Sequence, residues 1–353
     1  DEIVFGGRQR IGGVPAGAEP LTPAEDDLVE TLKTLRSVDA PDWARNEHPA
    51  WLGDALRAAS GDRYVEEMAA LRQPAAVTLR VNPLKTDRDG AAAALADAGI
   101  ATTPCAHAPL GLRVDGRPNI AASAPFREGW IELQDEASQI AASLCDARPG
   151  MAVLDLCAGA LGKSLAFAGA MANRGRLIAC DVDRGRLEAG GKRRKRAGVD
   201  CLQTRVIAGE RDPWLARQAG RFDRVFIDAP CTGTGAWRRN PDQRWRLDPY
   251  ALDRLTDLQS RLLAAAADLV RPGGRLIYAT CSILPMENDD RVAAFAAART
   301  DFAERSAADL WAERVGTPPP TGLTDRFRAT PARDGCDGFF TAVLERRLNA
   351  GAP

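Results

Sequence analysis

A chain of 353 residues, 45% hydrophobic and 27% charged, carries enough apolar side chain for one large core or two moderate ones, and its length predicts about two domains. Its net charge of -1 excludes a global attraction for polyanions, so any nucleic-acid site has to be local. No apolar run approaches the roughly 18 residues that span a bilayer and no basic-then-apolar export signal opens the chain, which predicts a cytoplasmic monomer with no membrane partner.

Residues 1 to 20 are rich in Gly, Pro and Ala without periodicity and read as a loose leader. Residue 1 is Asp, so the natural start is expected upstream. Leu28, Leu32 and Leu35 recur at helical spacing, and Pro49 to Leu52 and Tyr64 to Leu71 predict further short helices. Residues 1–73 therefore form a leader and helical segment. From Val77 the period changes: Val77 to Val81 alternates as a strand, Asp87 to Ala98 is Ala-rich and helical, and Leu112 to Val114 reads as a strand. A small α+β, RRM-like module for binding RNA is expected over residues 74–133.

The main domain, residues 134–348, opens with a helix running to about Cys145. Strands at Ala152–Leu156, Arg176–Cys180, Gln203–Ile207, Arg224–Ile227 and Arg275–Ala279 then alternate with helical stretches, the pattern of an α/β fold with a parallel sheet and right-handed crossovers. Pro272-Gly273-Gly274 reads as the turn into the fifth strand, and Gly338 to Glu345 as an edge strand closing the sheet.

Eight cysteines and two histidines never form a Cys-x-x-Cys pair or a zinc spacing, so no metal is expected. Cys145, Cys180 and Cys201 lie within or beside apolar runs and read as packing residues. Cys231 and Cys281 differ, because each follows an apolar run, Phe222–Ala229 and Gly274–Thr280. In an open α/β sheet ligands bind beyond the carboxyl ends of the strands. Two thiols there suggest a covalent adduct that one makes and the other helps to dismantle.

Val153 to Ala166 presents strand, turn and helix, with Gly159 and Gly162 letting backbone approach a ligand near a helix N-terminus. Asp181 follows nineteen residues beyond Gly162, at the end of the second strand, where a carboxylate commonly binds ribose hydroxyls. Together these indicate an adenosine-containing cofactor; the bland alternative is a tight turn and a solvated acid. A phosphate-binding loop is a rival, since Gly162-Lys163-Ser164 copies its end and Asp228 mimics a magnesium-binding acid. Cys157 stands where such a loop needs its first glycine, and a nucleotide hydrolase gives the two thiols no role. Two basic clusters stand out. Lys192 to Arg196 is as readily a solvated helix face as a binding site. Arg238, Arg239, Arg244 and Arg246, interleaved with Trp237 and Trp245, follow Cys231 and suit an RNA backbone and its bases.

Thr78 to Asn82, Gln134 to Ser138, Leu154 to Ala158, Asp228 to Gly235 with Arg238 to Asp242, Ala279 to Ser282 and Asp337 to Phe340 together resemble the RNA cytosine-C5 methyltransferases of the RsmB/Sun group over most of the chain. The resemblance implies a Rossmann-like class I methyltransferase sheet and S-adenosylmethionine as cofactor. The substrate it implies is a single-stranded or flipped cytosine in ribosomal or transfer RNA, with ribosomal RNA expected. It casts Cys281 as the nucleophile and Cys231 as the group that assists release, with Asp228 and Lys163 contacting the base or positioning the cofactor. The cofactor site would be Cys157, Ala158, Gly159, Ala160, Leu161, Gly162, Lys163, Asp181, Glu210 and Asp228. Two positions depart from the family's pattern: Ala160-Leu161 replaces Pro-Gly, and Glu210 stands for Asp. They leave a methyltransferase-like RNA-binding protein without turnover as a third possibility.

Overall fold

The computed structural model describes residues 22–27 and 40–348, so the expected leader and the Leu28, Leu32 and Leu35 helix lie outside the described residues. The chain divides into two units, Asp1–Asp54 and Ala55–Pro353. The first shows a helical turn at Asp42–Arg45 and a 3-10 turn at Ala50–Leu52.

The second unit begins with α1 (Tyr64–Arg72), which buries Tyr64, Met68 and Leu71, one helical face. A small antiparallel sheet follows. Its strands β1 (Val77–Val81), β2 (Thr102–Pro104), β3 (Gly111–Val114) and β4 (Ile131–Leu133) lie in the order β2-β3-β1-β4. Between β1 and β2 runs α2 (Arg88–Asp97), capped by the Asp87 carboxylate, which accepts from the Gly90 amide. Leu79, Val81, Leu95, Leu112 and Ile131 fill this module's core. Strands β2 and β4 escaped the sequence reading because three residues are too few to display a period.

The main sheet is preceded by α3 (Glu136–Leu144) and built from β5 (Ala152–Leu156), α4 (Gly162–Ala170), β6 (Arg176–Asp181), α5 (Arg184–Ala197), β7 (Leu202–Val206), β8 (Phe222–Asp228), α6 (Pro249–Leu269), β9 (Val270–Thr280), α7 (Asp289–Ala298), β10 (Phe302–Arg305), β11 (Phe327–Ala329) and β12 (Phe339–Arg346). The order is β10-β12-β9-β8-β5-β6-β7, with β11 pairing β12. Strands β5 to β9 run parallel, and β12 is antiparallel to both β9 and β10. The five parallel strands appear where the sequence placed them. Two details differ. Strand β9 begins at Val270 and runs through Pro272-Gly273-Gly274, beside a register shift between Phe222 and Arg224. Strand β12, expected at the edge, lies inside the sheet, and β10 is the edge. Its first six residues are all buried, and a continuous apolar run, not an alternating one, is the mark of a strand covered on both faces.

The strand order reverses at β5, between β6 and β8. Crevices at such a switch point, beyond the carboxyl ends, are where open α/β sheets bind ligands. Residues 157–163, Asp181, Asp228 and Cys281 all fall at that edge.

Candidate active site

Strands β8 and β9 are neighbours, with Asp228 opposite Ala279, so the loops leaving them start side by side. Cys231 Sγ and Cys281 Sγ lie 3.4 Å apart. The Gly235 amide donates to Cys281 O at 3.0 Å, and the Gly338 amide donates to Gly235 O at 2.9 Å. A Cβ on Gly235 would stand 2.2 Å from Gly338 O, so only glycine permits this approach. Thr234 and Ser282 hydroxyls, 3.0 Å apart, lock the two loops together, and Thr234 Oγ1 also accepts from the Ile283 amide. The hydrogen bond with Cys281, then burial, holds the Cys231 thiol well above its ordinary range.

Beside the thiols, Lys163 Nζ meets Asp228 Oδ2 at 2.6 Å. The ammonium is buried, 5.1 Å over the Phe339 ring, while the carboxylate is about a third exposed. Lys163 is thus engaged by Asp228. It is an orienting group for the acid that faces the crevice.

The loop from β5 into α4 winds tightly because Cys157, Gly159 and Leu161 all take left-handed backbone, φ 66°, 53° and 68°. Asp181 ties down its amide side: Oδ2 accepts from the Gly159 amide at 2.7 Å and Oδ1 from the Asp183 amide at 2.9 Å. Guanidinium groups tie down its carbonyls. Arg193 Nη1 donates to Ala160 O at 2.7 Å and Arg80 Nη1 to Gly162 O at 2.8 Å. Buried Glu132 of β4 holds Arg193 and Arg196 at 3.0 and 2.5 Å, so the small module braces the loop. Burial lowers the Arg80 guanidinium to about 10, which leaves it charged at neutral pH.

Leu161 explains how the loop tolerates its departure from the family's Pro-Gly step. Its side chain is fully buried, and a Cβ on Gly190 of α5 would stand 2.4 Å from Leu161 Cγ. The left-handed backbone costs about 1–2 kcal/mol. Burying a leucine contributes about 1.5–3 kcal/mol, enough to offset it. Beneath the loop, burial raises the Asp155 carboxyl to about 7; Oδ2 accepts from Ser164 Oγ at 2.5 Å and Oδ1 has no partner.

Two further residues flank this edge. Glu210, beyond β7, accepts from Arg261 Nε at 2.8 Å. Arg186, in the first turn of α5, was missed by sequence reasoning. Its guanidinium lies over Gly159, where a Cβ would come within 2.8 Å of Nη2, and among the described residues it makes no ion pair. The available signal was a basic residue five positions after Asp181. A cation above a glycine and acids at two strand ends fit a molecule with a ribose and a carboxylate. They do not fit a phosphate-binding loop, whose lysine would have to be free for phosphate and here is held by Asp228.

Of the four arginines expected to contact RNA, the structure engages three in contacts within the chain. Arg238, 6% exposed, donates Nε to Asp337 at 2.6 Å; Arg239 bonds Asp135 at 2.8 Å and also Asp337. Arg244 is 2% exposed, 5.4 Å over the Trp237 ring, and donates to Leu71 O. Arg238 and Arg244 are internal and Arg239, 35% exposed, is ion-paired, because their partners arrive from distant parts of the chain. Arg246, 78% exposed beside Asp242, stays in solvent with Trp245 and Tyr250. The basic run is also largely structural: Arg193 and Arg196 hold Glu132, and Arg194 donates to Leu202 O. Among the described residues no three His, Cys, Asp or Glu side chains gather as metal ligands, and no helix is long and apolar enough to cross a membrane.

Residues 142–345, more than half of the chain, match the family model described as 16S rRNA methyltransferase RsmB/F, and residues 48–121 match the ferredoxin-like domain model of RsmF/B-like methyltransferases. A Synechocystis protein named probable ribosomal RNA small subunit methyltransferase B is 33% identical over 306 residues, covering 84% of this chain and 66% of that protein. The chain thus spans just under two thirds of that relative's length. The crystal structure of PH0851 matches with a TM-score of 0.81 at 30% identity, covering 91% of this chain and 72% of that one. NSun6 from Pyrococcus horikoshii with SFG matches with a TM-score of 0.73 over 84% of this chain and 98% of that one; at 19% identity it shows the fold alone.

Proposed function

This chain belongs to the RsmB/F family of 16S rRNA methyltransferases, and on that premise we propose that it methylates C5 of a cytosine in small-subunit ribosomal RNA through a covalent adduct at Cys281. The observation that carries this reading is the 3.4 Å approach of two thiols at neighbouring strand ends, an arrangement that simple packing does not require. It would act as a cytoplasmic monomer. S-adenosylmethionine supplies the methyl group. Arg186 would take its carboxylate, Asp181 and Glu210 its ribose, and residues 157–163 its amino-acid end and sulfonium side.

Cytosine C5 is too electron-poor to accept the methyl group directly. The Cys281 thiolate adds to C6, the C5=C6 pair becomes nucleophilic at C5, and the Asp228 carboxylate, oriented by Lys163, accepts from the N4 amino group and holds the pyrimidine in register. After transfer, the C5 proton leaves to a solvent water hydrogen-bonded to Cys231 Sγ, the C–H pair re-forms C5=C6, and the C6–S pair returns to Cys281. A base inside a stem cannot reach this edge, so the target is unpaired or flipped out. Trp245, Tyr250 and Arg246 offer the exposed stacking and charge for its neighbours.

Denaturing gels with RNA containing the target cytosine test the assignment. Cys281→Ala should methylate nothing and trap nothing, whereas Cys231→Ala should accumulate a covalent protein–RNA complex, both with wild-type thermal melts. An adduct that persists in Cys281→Ala would overturn it, and one trapped only when Cys231 is present would name Cys231 as the nucleophile.

A further inference from the structure

Under the thiol loop lies an acid that the chemistry above does not use. Glu287, in the 3-10 turn Pro285–Glu287, has no exposed surface. Its Oε1 accepts from the Thr232 amide at 2.9 Å and from Gln259 Nε2 at 3.0 Å, and its Oε2 accepts from Thr232 Oγ1 at 2.5 Å. The same Gln259 nitrogen donates to Pro230 O at 2.9 Å. The residues on both sides of Cys231 are therefore fastened to one carboxylate. Tyr278 OH donates to Glu287 O at 2.6 Å and fixes the turn that carries it.

Among the described residues no lysine or arginine forms an ion pair with Glu287. Burying a carboxylate among neutral donors costs several kcal/mol, which an apolar contact of the same volume would avoid. Packing alone is a poor reason to keep it. Its oxygens do something an apolar group cannot: they take the Thr232 amide and hydroxyl together and so set the direction in which Cys231 leaves the loop.

We infer that Glu287 is a positioning residue for product release, holding Cys231 through Thr232 and Gln259 so that the water that takes the proton stands beside Cys281 and over C5. This rests on the covalent mechanism proposed above. Release breaks C5–H and C6–S, and the proton goes to the water at Cys231 while the sulfur pair returns to Cys281. Adduct formation needs only Cys281, so loss of Glu287 strikes one half of the cycle. The Cys281 hydrogen bond, burial and the Glu287 charge all raise the Cys231 thiol, so it keeps its proton and its sulfur serves to orient the water that takes the C5 proton.

Single-turnover reactions with RNA and S-adenosylmethionine, quenched in denaturant, read adduct formation and release separately. Glu287→Gln has one acceptor oxygen for three donors, so it should form adduct at close to the wild-type rate and release it about tenfold more slowly or worse. Covalent complex should build up as in Cys231→Ala. Thr232→Val, which removes one of the three bonds, should shift the same ratio less, and it carries the test if Glu287→Gln folds poorly. A purely structural role would lower the melting temperature and slow both steps together, and that result would overturn the inference. So would normal release by a folded Glu287→Gln protein. No adduct in Cys231→Ala would bring down the covalent mechanism itself, and this inference with it.

Discussion

The cofactor loop after β5 and the thiol loop after β8 open from one sheet edge, yet they are held differently: the first from both sides, by guanidinium groups and by Asp181 on the Gly159 amide, the second by a carboxylate beneath Cys231. Guanidinium groups of Arg80 and Arg193 grip carbonyl oxygens of the first; the Glu287 carboxylate grips an amide and a hydroxyl of the second. The far side of the thiol loop is clamped again, by Arg238 and Arg239 on Asp135 and Asp337. On the proposed mechanism, the first loop binds and the second reacts.

The clamp on the thiol loop should produce the largest effect. Arg238→Ala removes one of the two guanidinium groups on buried Asp337 and leaves Arg239 to hold it alone, a loss of about 1.5–3 kcal/mol visible as a marked fall in melting temperature. The salt dependence of RNA binding should keep its slope in the protein that remains folded. An unchanged melting temperature with about one unit of slope lost would return Arg238 to the RNA surface and break the contrast between the loops.

Leu161→Gly tests the binding loop by restoring the glycine that the family resemblance leads one to expect. A buried leucine removed costs about 2.7–5 kcal/mol and the left-handed strain relieved returns about 1–2 kcal/mol, so the variant should be less stable by roughly 2 kcal/mol and bind S-adenosylmethionine no tighter. Thermal melts and calorimetry read both. A more stable variant with tighter binding would mean that Leu161 obstructs the site.

An effect confined to pH near and above neutral should come from Asp155, beneath the same loop. Its folded-state carboxyl titrates near 7, above the ordinary 3.8, so the folded protein holds the extra proton across that interval. Stability then falls as pH rises through it and stays lower above. Asp155→Asn keeps an acceptor for Ser164 and removes the titration. Its melting temperature should match wild type near pH 4 and exceed it increasingly up to pH 8. Parallel pH profiles would show that Asp155 does not titrate in this window.

Some of the site was legible because its signals are local. Cys231 and Cys281 each follow an apolar run, and Asp181 ends the second strand of an alternating series, so strand geometry alone brings them to one edge. Glu287 carried no such signal: it is one acid among many in the sequence, and its meaning lies in a contact with Thr232, 55 residues away. Arg186 was visible only as a basic residue near a helix start. Arg238, Arg239 and Arg244 misled for the converse reason, since a basic, tryptophan-rich segment has the same composition whether it faces water or an internal acid. Strand β12 was recognised as a strand but misplaced, because its run Phe-Phe-Thr-Ala-Val-Leu is that of an interior strand.

By itself the sequence determined the α/β alternation, the position of each parallel strand, the two thiols at the active edge and the family. These follow from hydrophobic period and from spacing within a strand and its turn, interactions that span few residues. Tertiary structure decided which charges are solvent-facing and which are mortar. Arg80 reaches Gly162 across 82 residues and Arg238 reaches Asp337 across 99. Whether a charge is buried depends on the partner that folding brings to it, because an ion leaves water only where another group replaces its hydration.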